Sequence, residues 1–180
     1  MTDELRVLQD VSTKLDAAGI GYMLTGSMAM QYYAQPRMTR DLDLVVALQE
    51  NDVDTIVALF EVDYYVHRED VRESIRRRSM FNLIHNETIV KVDCIVRKDE
   101  PYRREEFGRR RRIAANGFET WIASKEDLIL SKLSWARDSF SEMQFRDIRN
   151  LMQTGFDQAY VERWVADLDL TAVFDACRHA

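Results

Sequence analysis

Apolar residues recur along the chain at two spacings, and these spacings predict an order of helices and strands. The first segment has an apolar residue every three or four positions, which predicts an amphipathic helix that ends near Gly19. A short apolar strand at Tyr22–Thr25 is predicted next, followed by the turn Gly26-Ser27 and a short helix at residues 28–33, which must stop before Pro36. The chain is therefore expected to begin helix, strand, turn, helix.

Short strands and helices are predicted to alternate in the middle of the chain. Residues 42–48 form a continuous apolar run, which predicts a strand buried on both faces. Residues 80–84 and 89–96 predict two strands of a hairpin. The other elements predicted here are a helix capped by Asn51, a strand at 64–66, a basic helix capped by Asp70, a helix at 105–112, a turn at Asn116-Gly117 and a strand at 120–122.

Only helical patterns occur in the last third of the chain. Ser124 and Asp127 have the spacing of an N-terminal cap before a helix at residues 128–139, and three more helices are predicted at 142–154, 158–167 and 171–178. We therefore predict an α/β (α+β) fold, with a mixed sheet flanked by helices and then a helical subdomain. A boundary near Ala123 would divide residues 1–122 from 123–180. No flexible linker separates the two parts, so we expect them to pack together and share a cleft.

Composition places the chain among ordinary globular proteins. Its 180 residues are long enough to bury a hydrophobic core. Of these residues, 46% are hydrophobic and 31% are charged, as is ordinary for a globular protein. No apolar run approaches the roughly 20 residues of a membrane span, and the N-terminus lacks a signal-peptide pattern, so we expect a cytoplasmic protein. Cys94 and Cys177 are far apart in sequence, which predicts buried free thiols and neither a disulfide nor a zinc site.

The net charge of -6 is unevenly distributed. Residues 68–112 contain 14 lysines and arginines against 9 aspartates and glutamates, so the rest of the chain is strongly acidic. Two arginine tracts, at residues 76–78 and 109–112, could attract phosphates or RNA. They could equally be solvated helix faces, because acidic residues are interspersed among them.

Asp41 and Asp43 are the first candidates for chemistry. They are two residues apart on a predicted strand, so their side chains should project from one face. Two carboxylates beside an apolar run repel each other unless a cation is bound or a pKa is raised. Oxygen ligands without histidine or cysteine favour Mg²⁺ or Mn²⁺. The alternative is that both are exposed strand-end or helix-capping residues.

Two further features bear on this acidic pair. Gly26-Ser27 follows a strand and opens a helix, where backbone N–H groups can hold a phosphate, although such a pair is more often only a turn. Asp93 lies within a predicted strand and could complete a set of three carboxylates around one or two metal ions. Alternatively, Asp93 pairs with Lys91 or with an arginine.

Basic and hydroxyl residues near these carboxylates are candidate phosphate ligands. Lys132 belongs to a predicted helix that also presents core residues, so its ammonium group could bind phosphate or extend to solvent as a surface lysine. Arg37 and Thr39, just before the acidic pair, could contact a triphosphate or simply shape the turn.

These motifs together resemble a known superfamily. Gly26-Ser27, a gap of thirteen residues, Asp41-Leu42-Asp43-Leu44 and the later Asp93 resemble the signature of the polymerase-β-type nucleotidyltransferases. A narrower resemblance is to bacterial nucleotidyltransferases of the AbiEii toxin group. It rests on Arg37-Met38-Thr39, Glu126-Asp127-Leu128-Ile129 and Lys132-Leu133. In that group a lysine and a later Arg-Asp pair belong to the active site, and Lys132 and Arg146-Asp147 match them.

The resemblance implies a reaction and a role for each residue. The expected activity is Mg²⁺- or Mn²⁺-dependent transfer of a nucleoside monophosphate from an NTP to a hydroxyl acceptor, which could be tRNA or another RNA, a protein or a small molecule. Asp41, Asp43 and Asp93 would be the catalytic metal ligands. Nucleotide-binding residues would be Gly26, Ser27, Arg37, Thr39 and Lys132. A toxin paired with an antitoxin is one implied role, and a non-catalytic member that binds a nucleotide or partner is the alternative.

Overall fold

A mixed β-sheet with helices packed around it forms the centre of the protein. The computed structural model describes residues 1–34, 39–139 and 141–179. The strands of the described residues are β1 (Tyr22–Thr25), β2 (Leu42–Val46), β3 (Tyr64–Tyr65), β4 (Met80–His85), β5 (Lys91–Val96), β6 (Arg111–Ala115) and β7 (Phe118–Ile122). The helices are α1 (Asp3–Ala17), α2 (Gly26–Tyr33), α3 (Val53–Phe60), α4 (Arg68–Arg77), α5 (Pro101–Gly108), α6 (Lys125–Ser139), α7 (Glu142–Gln153), α8 (Gln158–Asp167) and α9 (Thr171–His179).

The strand order is β3-β4-β5-β2-β1-β7-β6. Strand β2 is antiparallel to β1 and parallel to β5, and β1 is parallel to β7. The hairpins β4–β5 and β6–β7 extend the sheet on its two sides. The predicted mixed α/β architecture is thus confirmed, and β1, β2 and β5 are its central strands.

Strand β2 has one buried face and one half-buried face. Leu42, Leu44 and Val46 are each at most 1% exposed, whereas the alternate residues Asp43 and Val45 are only half-buried. The prediction of a strand buried on both faces was therefore wrong, because apolar Val45 lies on the face that carries Asp43. That second face is the wall of a cleft.

Two predicted helix caps are displaced from their positions. A 3-10 turn at Glu50–Asp52 precedes α3, and the Asp52 carboxylate accepts the backbone N–H of Gln49 at 2.7 Å in a capping box. Asn51 therefore lies inside the turn and is not the cap. In α4 the N-cap is His67, and Asp70 lies in the first turn of the helix, where its carboxylate lies 3.2 Å from His67 Nδ1.

The predicted helix at residues 105–112 is wrong in its second half. Helix α5 ends at Gly108, and Arg111 already belongs to β6. Asn116 and Gly117 both have positive φ, as a two-residue hairpin turn requires, and they join β6 to β7. Strand β6, which precedes this turn, therefore begins within the arginine tract 109–112.

The helical last third agrees with its prediction. Ser124 Oγ accepts the backbone N–H of Asp127 at 3.1 Å before the chain enters α6. One hydrophobic core runs from α1 to α9 and includes residues on both sides of Ala123, so the proposed division there stays a prediction. Cys94 and Cys177 are buried free thiols. Among the helices in the described ranges, none combines the length and apolar character needed to cross a bilayer.

Candidate active site

Four polar residues lie side by side across the central strands. Thr25 at the end of β1 is the register partner of Asp43 on β2, Asp43 is the partner of Asp93 on β5, and Asp93 is the partner of Asn82 on β4. Register partners on neighbouring strands lie about 4.8 Å apart and project from the same face. The pairing of β2 with β5 therefore brings together two aspartates that are separated by fifty residues of sequence.

The carboxylate of Asp93 is only partly satisfied. Asp93 is 8% exposed, and its Oδ2 forms an ion pair with Lys91 Nζ at 3.1 Å. Its Oδ1 is buried without a hydrogen-bond partner among the described residues. A buried carboxylate oxygen without a donor is costly, so this atom is one that a cation or an incoming hydroxyl would satisfy.

Asp43 is the most perturbed carboxylate of the site. Burial, followed by the nearby charges of Asp93 and Asp41, raises the pKa of Asp43 from 3.8 to about 6. The ammonium groups of Lys132 and Lys91 act in the opposite direction. The negative charges thus exceed what the neighbouring lysines compensate, which is the electrostatic condition that favours a bound cation.

Gly26 is required by the conformation of the turn and by the proximity of Asp43. Its φ is +64°, a region that L residues rarely adopt. A Cβ atom at this position would lie 2.0 Å from Asp43 Oδ2 and 2.7 Å from its Cγ. The glycine therefore brings the start of α2, where the first-turn N–H groups of the helix lie, directly against the Asp43 carboxylate.

Lys132 reaches the same site from α6. Its side chain is 7% exposed, and its Nζ donates to Asp147 Oδ2 on α7 at 2.8 Å. The side chain of Asp147 is 1% exposed, so the pair is buried. The pair holds one ammonium group at a fixed place near Asp43, where it could contact a phosphate. Arg146, the other residue of the predicted Arg-Asp pair, is exposed.

Among the remaining predicted site residues that the structure describes, only Ser27 lines the cleft with this group. Asp41 precedes β2 and is exposed, so it is not on the strand as predicted, although its charge still acts on Asp43. The Thr39 hydroxyl donates to the backbone carbonyl of Asp41 at 3.5 Å, which supports a role in shaping the turn. Arg37 lies outside the described residues. Ser27 lines the cleft next to Gly26.

A cleft of about 570 Å³ opens over these residues between the sheet and the helical part. One end holds Gly26, Asp43, Asp93 and Lys132. The middle is apolar, with Val45 and Ile95 on the sheet and Trp135 on α6. The opposite end, here called the cationic end, is formed by four basic residues: Arg78, Arg97, Lys98 and Arg103.

The cationic end was not identified from sequence residue by residue. Its sequence signals were the excess of basic residues in 68–112 and the arginine tract 76–78, which contains Arg78. The three arginines of the tract at 76–78 have different surroundings. Arg78 lines the cleft, whereas Arg76 and Arg77 are exposed and lie near Glu73. For these two, the interpretation as a solvated helix face holds.

The residues present fit a hard divalent cation. In the described ranges no three side chains of His, Cys, Asp or Glu form a ready-made metal-binding group. Asp43 and Asp93 nevertheless offer two adjacent carboxylates with an unpartnered oxygen. Mg²⁺ is commonly held by one or two carboxylates, with substrate phosphates and water as its other ligands, which matches this donor set.

The fold is that of nucleotidyltransferases, as solved structures show. Neither a protein-family model nor the sequence of a curated protein matches the chain. An antigenic nucleotidyltransferase-like protein from Paracoccidioides brasiliensis is 20% identical, with a TM-score of 0.60 over 97% of this chain and 94% of that one.

Two antibiotic-related structures share this fold. The lincosamide antibiotic adenylyltransferase LnuA, solved with lincomycin bound, is 17% identical, with a TM-score of 0.54 over 84% of this chain and 96% of that one. ANT(2")-Ia, solved with adenylyl-2"-tobramycin, is 12% identical, with a TM-score of 0.57 over 99% and 98%. At these identities the likeness concerns the fold.

Proposed function

We propose that this protein is a metal-dependent nucleotidyltransferase that moves a nucleoside monophosphate from an NTP to a hydroxyl acceptor. The observation that carries the proposal is the pair Asp43 and Asp93 on adjacent central strands. The Oδ1 of Asp93 has no partner among the described residues, and the glycine turn lines the same cleft. The fold shared with adenylyltransferases supports the same reaction class.

The residues of the cleft would divide the work between phosphate binding and proton removal. Asp43 and Asp93, with Asp41 at the edge, would hold Mg²⁺ or Mn²⁺, which when bound neutralises phosphate charge and acidifies the acceptor hydroxyl. Gly26 and Ser27 would hold the triphosphate at the start of α2, and the Lys132 ammonium would offset its charge. Thr39 and Arg37 stay proposed nucleotide-binding residues on the sequence resemblance alone.

In the proposed step the acceptor oxygen forms a bond to the α-phosphorus while the bond to the pyrophosphate oxygen breaks. The hydroxyl proton passes to the Asp93 carboxylate, whose Oδ1 has no donor among the described residues to compete with it. Pyrophosphate leaves with its electron pair. Positioning of the triphosphate at Gly26 and charge neutralisation by the Lys132 ammonium are the protein's own contributions to the rate.

The sequence resemblance adds a narrower proposal. As a relative of the AbiEii toxins, the protein would act in the cytoplasm on tRNA, another RNA or a protein, and an antitoxin would be its partner. The solved neighbours add small molecules as a further acceptor class, since LnuA was solved with lincomycin and ANT(2")-Ia with an adenylylated tobramycin.

Calorimetry with each NTP in the presence of Mg²⁺ tests the proposal. We expect one NTP to bind to the wild type, and binding to be lost in Asp43→Asn and Asp93→Asn. Asp70→Asn, which changes a 71% exposed carboxylate on α4, is the matched control and should bind normally. Binding that survives both cleft substitutions, or no binding to the wild type, would refute the proposed activity.

A second assay separates the enzyme from a non-catalytic nucleotide-binding protein. The protein is incubated with α-labelled NTP, Mg²⁺ and cell extract, and label is sought on RNA, protein and small molecules. Label on one fraction identifies the acceptor class. An NTP that binds through Asp43 but labels nothing would identify a non-catalytic member of the fold.

A further inference from the structure

Cations outnumber carboxylates at the cationic end of the cleft. Among the described residues, Asp99 is the only carboxylate within 4.0 Å of Arg78 or Arg97, at 3.5 Å from the first and 3.1 Å from the second. Arg103 pairs with the buried Glu106 at 2.9 Å. Among the described residues, the three arginines therefore form ion pairs with only two carboxylates, Asp99 and Glu106. Of these two, only Glu106 lines the cleft.

Lys98 is the cation with no internal role. It is the second residue after β5, is exposed and lines the cleft. Within the described part of the chain, its ammonium group makes no hydrogen bond and no ion pair. Its neighbour Arg97 stacks on the Phe107 ring, with 5.3 Å between the guanidinium carbon and the ring centroid, and its buried Nε has no hydrogen-bond partner. Both side chains retain hydrogen-bonding capacity for a ligand.

Arg78 is held at the cleft by an unfavourable backbone conformation. It caps α4 with φ 51° and ψ 44°, a left-handed conformation that glycine usually provides at a helix end. For an arginine this conformation costs about 1 kcal/mol. The guanidinium group donates to the backbone carbonyl of Leu48 at 2.9 Å, which orients it toward the cleft lining. Such local strain is commonly retained where a side chain binds a ligand.

The cationic end lies at a defined distance from the reacting position. Arg97 follows Asp93 by four residues along β5 and its continuation, which corresponds to about 13 Å. The apolar residues Val45 and Ile95 lie between the two ends. A molecule whose hydroxyl reaches Asp93 can therefore place an anionic group among the cations only if the two groups are roughly 10 Å apart or more.

We propose that the acceptor carries a phosphate group, which binds at Arg78, Arg97, Lys98 and Arg103 while its hydroxyl lies at Asp93. This proposal rests on the proposed nucleotidyl transfer and assigns the substrate class of the same cleft. The phosphate could belong to the backbone of an RNA 3′ end or to a phosphorylated small molecule. Tobramycin, which is polycationic, is the opposite kind of acceptor and would be repelled here.

Binding of defined probes tests the proposal. The probes are a fluorescein-labelled eight-nucleotide RNA with a free 3′-hydroxyl, read by anisotropy, and trehalose 6-phosphate as a competitor, whose second ring carries hydroxyls far enough from the phosphate to reach Asp93. Trehalose and tobramycin are the neutral and cationic comparisons. The variant is Lys98→Glu, because this exposed side chain supports no internal contact. Arg76→Glu makes the same charge change on α4 outside the cleft and is the control.

We expect Lys98→Glu to weaken phosphate-probe binding at least about tenfold, the effect of replacing one charge-assisted contact by a repulsion. Arg76→Glu should change it less than about twofold. Magnesium-dependent NTP binding should be unchanged in both variants. Displacement of the RNA by trehalose 6-phosphate but not by trehalose would assign a small phosphorylated acceptor, whereas binding of the RNA alone would assign an RNA end.

Different results overturn different claims. Unchanged probe binding in Lys98→Glu, or binding of tobramycin as tight as that of the RNA, refutes the acceptor proposal and leaves the nucleotidyltransferase proposal intact. Loss of NTP binding in Lys98→Glu would mean that the cationic end holds the phosphates of the nucleotide itself, which also refutes it. A wild type that binds no NTP refutes the proposed function and, with it, this assignment.

Discussion

Neutralising Asp43 should stabilise the protein in the absence of metal. Its carboxylate is half-buried, and the neighbouring charges of Asp93 and Asp41 act against its ionised form. The rise of its pKa from 3.8 to about 6 means that the folded state loses about 3 kcal/mol at pH 8 relative to a carboxylate with an ordinary pKa. Asparagine has the same shape and no charge. We therefore expect Asp43→Asn to raise the free energy of unfolding by about 1–3 kcal/mol at pH 8.

The effect of Asp43 on stability depends on pH. Because the folded-state pKa of Asp43 is above its unfolded value, its destabilising effect is absent below about pH 3.8, develops as pH rises to about 6 and is complete above that. The difference between Asp43→Asn and wild type should therefore shrink toward zero as pH falls from 7 to 4.

Urea unfolding in buffer containing EDTA measures this difference at several pH values. Asp41→Asn is the graded comparison: it keeps the Asp43 carboxylate and removes one of the two charges that act against it, so it should raise the unfolding free energy at pH 8 by less than Asp43→Asn does. Added MgCl₂ should stabilise wild type and not Asp43→Asn. An Asp43→Asn variant that is less stable than wild type at pH 8, or a difference independent of pH, would refute the reasoning.

Three further substitutions probe the walls of the cleft. Gly26→Ala places a Cβ atom 2.0 Å from Asp43 Oδ2, so we expect a loss of about 1–3 kcal/mol in urea unfolding and loss of NTP binding in calorimetry. Lys132→Met leaves the buried Asp147 carboxylate without its ammonium partner and should cost about 3–5 kcal/mol, whereas adding Asp147→Leu should restore thermal stability but not NTP binding. Trp135→Ala removes a 69% exposed ring, so the free energy of unfolding should change by less than about 0.5 kcal/mol. The change in tryptophan fluorescence on adding Mg²⁺ and NTP should disappear in this variant, and an unchanged response would show that the ring does not contact the nucleotide.

The sequence predicted the local parts of the site better than their assembly. Gly26 could be anticipated because a glycine between a strand and a helix suits a positive φ, and Asp93 because an aspartate inside an apolar strand needs a partner. That Asp43 and Asp93 are direct register partners depends on the parallel pairing of β2 with β5, a long-range contact that periodicity does not encode.

The misassigned element has a clear physical cause. Residues 105–112 are rich in Glu and Arg, which favour helix, and this propensity hid the start of β6 at Arg111. The better signal was Asn116-Gly117 between two runs of residues with partial alternation, which is typical of a two-residue hairpin. The turn chemistry outweighs the helix propensity of a few arginines once β7 provides a partner strand.

Three departures from local sequence–structure rules lie along one surface, which strengthens the assignment of the cleft. A charged residue in a central strand, a left-handed arginine at a helix end and a buried lysine each cost stability, and Asp43, Arg78 and Lys132 all line the same cleft. Ile89, a β-branched residue with φ 57° in the β4–β5 turn, shows that strain also occurs away from the cleft. Strain at one turn has a local explanation in the hairpin. The three residues that line the cleft have no such shared local explanation. Ligand binding is the function that would maintain all three together.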